Sequence, residues 1–298
     1  VLVFACFFVS MWVTNDVALL TFVPFSLMAL PKVASEEQMA LVIVLQTLAA
    51  NLGSMCTPVG NPQNLYLYFY YAMDLPSFLT LLLPYTLVSF LLLTLSLFRL
   101  PGTPIPISVR LAARRTRNLP VLAPSRRLWL LGGMFFLSLL TVAHVLDYRL
   151  TLAIVIVVTS LTRPRYFRYA DYRLLGTFVA FFILVGNMSQ LPGFRDLLTG
   201  YLEGHEFLIA LLASQVISNV PAAVLLSGFT DEAAALLLGT DIGGLGTLIA
   251  SMASLISYGM YVRACPRQQG RYLKLFSLLN LAYLLVLVLI AWLYGFGV

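Results

Sequence analysis

From Leu75 to Leu97 the chain runs through 23 consecutive residues without a charge, more than the ~20 apolar residues that carry a helix across a bilayer. The remaining charges are confined to a few short stretches between similar runs, so several membrane spans are expected. Composition leads the same way: 60% of the 298 residues are hydrophobic and 10% are charged, against roughly 45–50% and about 25% in soluble domains. Packed as a soluble core, such a chain would leave far too much apolar surface in water. Val1 to Val13 opens in mid-run with neither Met nor a basic flank, so it reads neither as a signal peptide nor as a natural beginning. Cys6, Cys56 and Cys265 show no CxxC or Cys/His spacing, which argues against a disulfide framework and a zinc site; no cofactor is expected.

Arginine sets the expected orientation, because cytoplasmic loops collect Lys and Arg while acidic residues weigh little. Three loops, 99–127, 163–173 and 263–274, hold 15 of the 18 basic residues and are placed in the cytoplasm of an inner-membrane, multi-pass protein. The first has seven arginines, five prolines and no acid. Topology and anionic lipid explain these runs without nucleic acid. The spans then thread as Leu75 to Phe98 inward, Leu128 to Leu146 outward, Leu150 to Thr162 inward, Leu174 to Gln190 outward and Leu275 to Phe296 outward.

Between Leu191 and Arg263 one net crossing is required, yet the apolar length is too great for one helix and too interrupted for two. Pro221 follows Ser218-Asn219-Val220; proline is tolerated in a first turn and breaks an interior, so a helix is expected to start at Asn219. Phe207 to Ile217 and Val220 to Phe229 then form a re-entrant hairpin with its tip near mid-membrane. The glycine-rich stretch Gly239 to Thr247 is expected to be the unwound middle of the next crossing, which resumes through Ile256 to Val262.

The first half presents the same order. Thr14-Asn15-Asp16 interrupts an apolar run, a turn follows at Pro31 to Glu37, and a crossing is broken from Asn51-Leu52-Gly53 through Thr57 to Asn64. Asn51 to Thr57 aligns without a gap on Asp241 to Thr247, and Leu65 falls on Leu255. An internal repeat is expected, and the threading makes the two copies inverted, the architecture of many secondary transporters. The expected fold is an all-α polytopic helical bundle with inverted repeats, two re-entrant hairpins and two broken transmembrane helices. Its parts are a first repeat over 1–98, a basic loop over 99–127 and a second repeat over 128–298. Symmetry would leave the first copy short of about 75 residues before Val1.

Unpaired backbone groups in hydrocarbon cost several kcal/mol each, so unwound segments persist where they line a polar cavity or touch a ligand. Helix N-termini at Asp16 and Asn219 suit an anion; free carbonyls around Gly53 and Gly243, with Asn15 and Asn219 nearby, suit a cation such as Na+. The binding residues expected in the first half are Thr14, Asn15, Asn51, Thr57, Gly60 and Asn61 with Asn64, of which Thr14, Asn15 and Asn64 supply side-chain oxygens and amides. Those in the second are Ser218, Asn219, Thr240, Asp241, Gly243, Thr247 and Ser251, with side-chain groups from Ser218, Asn219, Thr247 and Ser251. Asp16 and Asp241, carboxylates inside the membrane, are candidate coupling groups for H+ or Na+; their alternative roles are a helix cap and a hydrogen bond to the glycine loop.

At these residues the chain resembles the ion transporter superfamily of arsenite permeases, NhaD-type sodium/proton antiporters, citrate-type carriers and divalent anion/sodium symporters. Thr14-Asn15-Asp16 and Ser218-Asn219-Val220 are similar to its paired hairpin-tip motifs, and Thr57-Pro58-Val59-Gly60-Asn61-Pro62-Gln63-Asn64 to its Thr-Pro-x-Gly-x-Pro-x-Asn signature. Thr240 to Ser251 is similar to the second-half Asn-x-Gly-Pro motif of the arsenite permeases, and the YbiR-like branch is nearest. The resemblance spans nearly the whole chain and implies alternating access by a moving transport domain. Val220 and Asn61 depart from the symporter pattern, so its sodium sites do not carry over intact. No arginine falls within the motifs to clamp a di- or tricarboxylate.

The expected function is secondary active transport of a small anion, an inorganic oxyanion or a carboxylate, coupled to H+ or Na+. A Na+/H+ antiporter of the same fold is the alternative, and a passive channel the reading from another class. His205-Glu206 lacks the second His of HExxH, and neither GxGD nor GxSxG occurs, so no enzyme is expected. The expected partners are the small anion or ion substrate and the lipid bilayer, with a homodimer left open and no nucleic acid. Tyr66, Tyr68, Tyr70 and Tyr71 read as an interfacial belt.

Overall fold

Leucine-rich sequence without a charge makes Leu75–Phe98 one continuous helix in the computed structural model, Pro84 included. At 1.5 Å per residue it is ~36 Å long. It and Pro266–Leu293 are the two described helices with both the length and the hydropathy to cross a membrane. The structure describes residues 1–32, 35–98, 126–162, 164–169, 172–188 and 190–296. Within them it is all-helical, with fourteen α-helices and no strand, the organisation of a helical, multi-pass membrane protein. Of the basic loop 99–127, only Arg126 and Arg127 fall among the described residues. Arg163, Ala170 and Asp171 of the loop 163–173 also lie outside them.

The chain divides into two compact units. The larger takes residues 1–104 and 181–298. Its first part holds α1 (Leu2–Ser10), α2 (Asn15–Ala29), α3 (Glu36–Ser54), α4 (Pro62–Tyr70) and α5 (Leu75–Phe98). The smaller takes residues 105–180, with α6 (Arg126–Val142), α7 (Tyr148–Thr162) and the beginning of α8 (Tyr172–Met188). Thr141 and Thr151 tie α6 to α7 through a 2.6 Å hydroxyl pair. Back in the larger unit follow α9 (Pro192–Leu202), α10 (Glu206–Ile217), α11 (Asn219–Ser227), α12 (Ala233–Gly243), α13 (Met252–Ala264) and α14 (Gln269–Leu293).

Local chemistry explains the helix starts. Thr14 caps α2 by accepting the Val17 amide at 3.4 Å. Ser35 and Gln38 form a reciprocal capping box at α3. Pro62 opens α4 as its first residue, where no amide hydrogen is needed. Asn219 begins α11 as expected: the Asn219 side chain accepts the Val220 amide at 3.0 Å, while Ser218 donates to the Ala250 carbonyl at 3.3 Å.

Both crossing breaks lie later than expected. Asn51 and Gly53 belong to the last turn of α3, and Thr240, Asp241 and Gly243 to the last turn of α12; the non-helical segments are 55–61 and 244–251. Close packing keeps these turns wound. A Cβ on Gly53 would stand 2.1 Å from the Phe7 carbonyl oxygen of α1, and one on Gly243 would stand 2.8 Å from Ser214 of α10. The glycines cost about 1 kcal/mol each in helix propensity, and the gain is helix contact at backbone distance along wholly buried turns. α1 against α3 and α10 against α12 are accordingly the most extensive pairings in the larger unit.

The tyrosines of α4 are anchors rather than a belt. Tyr66 pairs with the Ser227 hydroxyl at 2.8 Å, Tyr71 donates to the Thr230 carbonyl at 2.7 Å, and Tyr68 is fully buried. Tyr70 alone of the four is half exposed.

Replacing Gly53 by Ala forces α1 from α3 and is expected to cost at least about 1–3 kcal/mol, seen as a lower midpoint of thermal unfolding in detergent. Gly132→Ala on α6, where an added Cβ meets nothing within 4 Å, is expected to be neutral or to stabilise by up to about 1 kcal/mol.

Candidate functional site

Two chain tips and two helix breaks meet in the larger unit. Where α1 gives way to α2, the Asn15 amide donates to the Gly60 carbonyl in the first break at 3.1 Å. Where α10 gives way to α11, the Asn219 amide donates to the Ala250 carbonyl in the second break at 2.9 Å. Each asparagine also folds its side chain onto the next amide, Asn15 Oδ1 accepting from Asp16 at 2.9 Å and Asn219 Oδ1 from Val220 at 3.0 Å. The tip thus satisfies two first-turn amides and one break carbonyl that hydrocarbon would leave unpaired.

The breaks are stapled to the chain before each tip. Thr57 donates to the Met11 carbonyl, and Thr247 donates to the Gln215 carbonyl at 3.0 Å. Gln215 does more: its amide nitrogen donates to the Gly243 and Leu245 carbonyls at 2.7 and 3.0 Å, and its oxygen accepts the Thr247 amide at 3.0 Å. This fixes a loop in which Gly246 sits at φ +99, a conformation that disfavours a side chain. Ser218 at the second tip takes φ +74, a strained position for a non-glycine residue of the kind found at ligand-gripping turns. Its first-half counterpart, Thr14, has an ordinary φ of −62.

The two halves then cross. Asn51 on α3 accepts from Asn15 Nδ2 at 3.1 Å and from Ser251 Oγ at 3.2 Å, and donates to Ser254 Oγ on α13 at 3.4 Å. In the other direction Asp241 on α12 accepts from Gln63 Nε2 on α4 at 3.1 Å, with the amides of Asn64 and Asn61 against the same carboxylate. Asn61 also accepts from Ser54 Oγ at 2.9 Å. A buried chain continues from Thr47 to Ser257 at 2.7 Å and from Ser257 to the Tyr272 hydroxyl at 3.3 Å. Asn15, Asn51, Asn61, Asn64, Ser218, Asn219, Asp241 and Ser251 are all buried.

Other expected site residues are engaged with the main chain. Thr240 donates to the Leu236 and Leu237 carbonyls of its own helix. The Gly53 carbonyl accepts the Met55 and Cys56 amides, and the Gly243 carbonyl accepts Gln215. Asp16 lies in the first turn of α2 with its Oδ1 buried and without a hydrogen-bond partner among the described residues. Gln63, Gln215 and Ser254 are contributors that motif reading passed over. Gln63 stands between Pro62 and Asn64, Gln215 is a lone amide in an apolar half-span, and Ser254 follows Ser251 by one helical turn.

Chemically, four helix N-termini (α2, α4, α11 and α13) share one network with two helix C-termini, those of α3 and α12. Its side chains are amides and hydroxyls apart from Asp16 and Asp241. N-terminal amides favour an anion and C-terminal carbonyls a cation, so the arrangement can accommodate both signs together. Gln215→Leu removes three of the bonds that shape the 243–247 loop. At about 1 kcal/mol per hydrogen bond, a loss of roughly 2–3 kcal/mol is expected, measurable as a lower denaturation midpoint with the helix content retained in circular dichroism.

Comparison with known proteins finds transporters. The family model described as citrate transporter matches residues 1–256. The uncharacterized transporter MJ0456 of Methanocaldococcus jannaschii is 30% identical over 295 aligned residues, covering 96% of this chain and 77% of that protein. The inner membrane protein YbiR of Escherichia coli strain K12 is 31% identical over 265, covering 87% and 68%.

Proposed function

The chain belongs to the citrate transporter family, and on that footing we propose that it is a secondary active carrier of a small anion, driven by H+ or Na+. Membership makes it a membrane transporter; the anion, the coupling ion and the mechanism are our reading. The observation that carries it is the crossed network. Asn15 and Asn219 at two tips bond to two helix breaks, and each half's broken helix bonds to the restart of the other. The paired contacts support inverted repeats with two re-entrant hairpins, and the arginine distribution supports opposite orientations, with 99–127, 163–173 and 263–274 on the cytoplasmic side of an inner membrane.

In this mechanism the anion sits at the positive N-terminal ends of α2 and α11, with the side chains of Thr14, Asn15, Ser218 and Asn219 around it. The coupling ion binds on the carboxylate side, at Asp16 or Asp241. Because each tip bonds to its own break and the two halves are joined through Asn51 and Asp241, neither tip moves alone, and the cluster exposes its load alternately to the two faces. Small inorganic oxyanions and carboxylates fit a site of neutral amides better than a tricarboxylate needing a bidentate guanidinium. A Na+/H+ antiporter of the same fold is the second reading, favoured by the two carboxylates in a cluster of otherwise neutral side chains.

The test is flux in proteoliposomes containing a pH-sensitive dye, with citrate, succinate, arsenite, phosphate and sulfate offered under imposed Na+ and H+ gradients. Gradient-dependent uptake of one of them is expected; a pH change on Na+ addition alone, with no anion uptake, would replace the carrier with the antiporter. Asn15→Ala and Asn219→Ala should each raise the half-saturating concentration of the transported anion about tenfold or more, the worth of one charge-assisted hydrogen bond. Wild-type affinity in both variants would remove the tips from the binding site.

A further inference from the structure

We propose that Gln63 is the positioning residue that couples the two loads: it reads the charge on Asp241 and passes it along α4 to the second tip. This rests on the carrier reading and deepens it, by placing the coupling cation at Asp241 and giving its route to the anion at Ser218 and Asn219.

α4 is a first-half helix seated among second-half helices. Its nine residues make it ~14 Å long, and the helices it packs against most are α11 and α12. Side chains fasten both of its ends. At the start, Gln63 Nε2 donates at 3.1 Å to Oδ1 of Asp241, in the last turn of α12. Further along, the Tyr66 hydroxyl pairs with Ser227 Oγ at 2.8 Å, and just past the end Tyr71 donates to the Thr230 carbonyl at 2.7 Å. Ser227 is the last residue of α11, whose first is Asn219 at the second tip. Asp241 and that tip are therefore joined through two short helices, and an intact helix passes a displacement from one end to the other.

Only this half has a charge to read. Asn51 holds the matching place, in the last turn of α3, and is a neutral amide with both ends partnered: its oxygen accepts from Asn15 and Ser251, and its nitrogen donates to Ser254. Asp241 is a carboxylate whose Oδ2 is buried with no donor among the described residues, so a proton or a Na+ ion can be taken up there. Gln63 must respond to either. Against a carboxylate it can only donate, as it does here; against a neutral carboxylic acid its oxygen can accept instead, and beside Na+ its oxygen faces the ion and its nitrogen turns away. Each change of load therefore turns the amide or releases it. At 1% exposure Gln63 has no solvent to turn into, and in a close-packed interior the change falls on α4.

No second charge on the helices packed against α12 competes for Asp241. Of these, α11 carries no titratable group, α4 and α5 carry only tyrosines, and α10 carries Glu206. Glu206 shares the lining of an outer cavity with Ala235 of α12, six residues and so ~9 Å along the axis from Asp241. Arg271 and Lys274 of α14 precede Leu284, the α14 residue beside Gly246, by ten residues or more and so by ~15 Å or more. Tyr272 and Tyr283 of the same helix are bonded to Ser257 and Ser96.

The test follows the second tip while the cation is varied, with no anion needed. A trifluoromethyl label on Val220→Cys, in the full chain with Cys6, Cys56 and Cys265 replaced by alanine, is read by fluorine NMR in detergent. Sodium chloride is compared with choline chloride at fixed pH, and acid with alkaline solution. Cation uptake is followed in parallel by radioactive Na+ binding and by the carboxylic acid C=O band in the infrared. The label is expected to shift as the cation binds. In Gln63→Leu the cation still binds at saturation but the shift is lost; Tyr66→Phe combined with Tyr71→Phe loses it likewise, and Asp241→Asn loses both signals. A glutamine that only supported the fold would lower the unfolding midpoint and leave the shift in place. If Gln63→Leu does not fold, Gln63→Met and the tyrosine pair carry the test. A shift that survives Gln63→Leu or Asp241→Asn, cation binding that is lost in Gln63→Leu, or a wild-type tip that does not respond to Na+ or acid overturns the proposal. For whichever offered anion is taken up, the cation is expected to lower its half-saturating concentration about fivefold or more in wild type, and not in Gln63→Leu. A responsive tip in a protein that moves none of the offered anions keeps the route and loses the carrier reading; coupled uptake with a tip indifferent to Gln63 keeps the carrier and loses the route.

Discussion

Everything in the larger unit depends on two backbone hydrogen bonds, Asn15 N to Gly60 O and Asn219 N to Ala250 O. A helix broken in hydrocarbon exposes amides at its restart and carbonyls at its end, each costing several kcal/mol if left unpaired. Here one unwound segment answers another, so each tip completes a break and each break completes a tip. The asparagine side chains, folded onto the following amides, close the same first turns. Remove either tip and its break loses its partner.

Around these two bonds the crossed side chains join halves that share no continuous helix. Asn51 reaches Ser251 and Ser254, and Asp241 reaches Gln63, Asn64 and Asn61. Tyr66 and Tyr71 fasten α4 to the end of α11 and the turn beyond it. Tight helix pairing at Gly53 and Gly243 keeps the turns that carry Asn51 and Asp241 wound and aligned. Polar groups of this density inside a membrane protein are expensive, and their reward is a cluster that holds its shape.

Much of the site was legible in the residues. Thr14-Asn15-Asp16 and Ser218-Asn219-Val220-Pro221 marked both tips, because a capping residue and an N-terminal proline in an apolar run have few other uses. The gapless match of Asn51 to Thr57 on Asp241 to Thr247 begins in the last turns of α3 and α12. Other features were misjudged for identifiable reasons. The helical glycines of α12 were read as an unwound segment because propensity counts their entropy and not the backbone approach they permit. The α4 tyrosines were read as a belt because a hydroxyl's partner lies on another element.

Composition and charge placement by themselves determined that this chain is a helical membrane protein, since the bilayer tolerates few alternatives, and the motifs marked four interruptions, two of them earlier in the chain than they fall. Family membership was equally present in the motif order. Only the tertiary structure decided which amide answers which carbonyl, that Gln63 and Gln215 belong to the cluster, and that Asn51 is satisfied while Asp241 is not. Those are properties of pairs far apart in the chain, and a hydrogen bond depends on where its two ends are brought, which no local pattern of residues specifies.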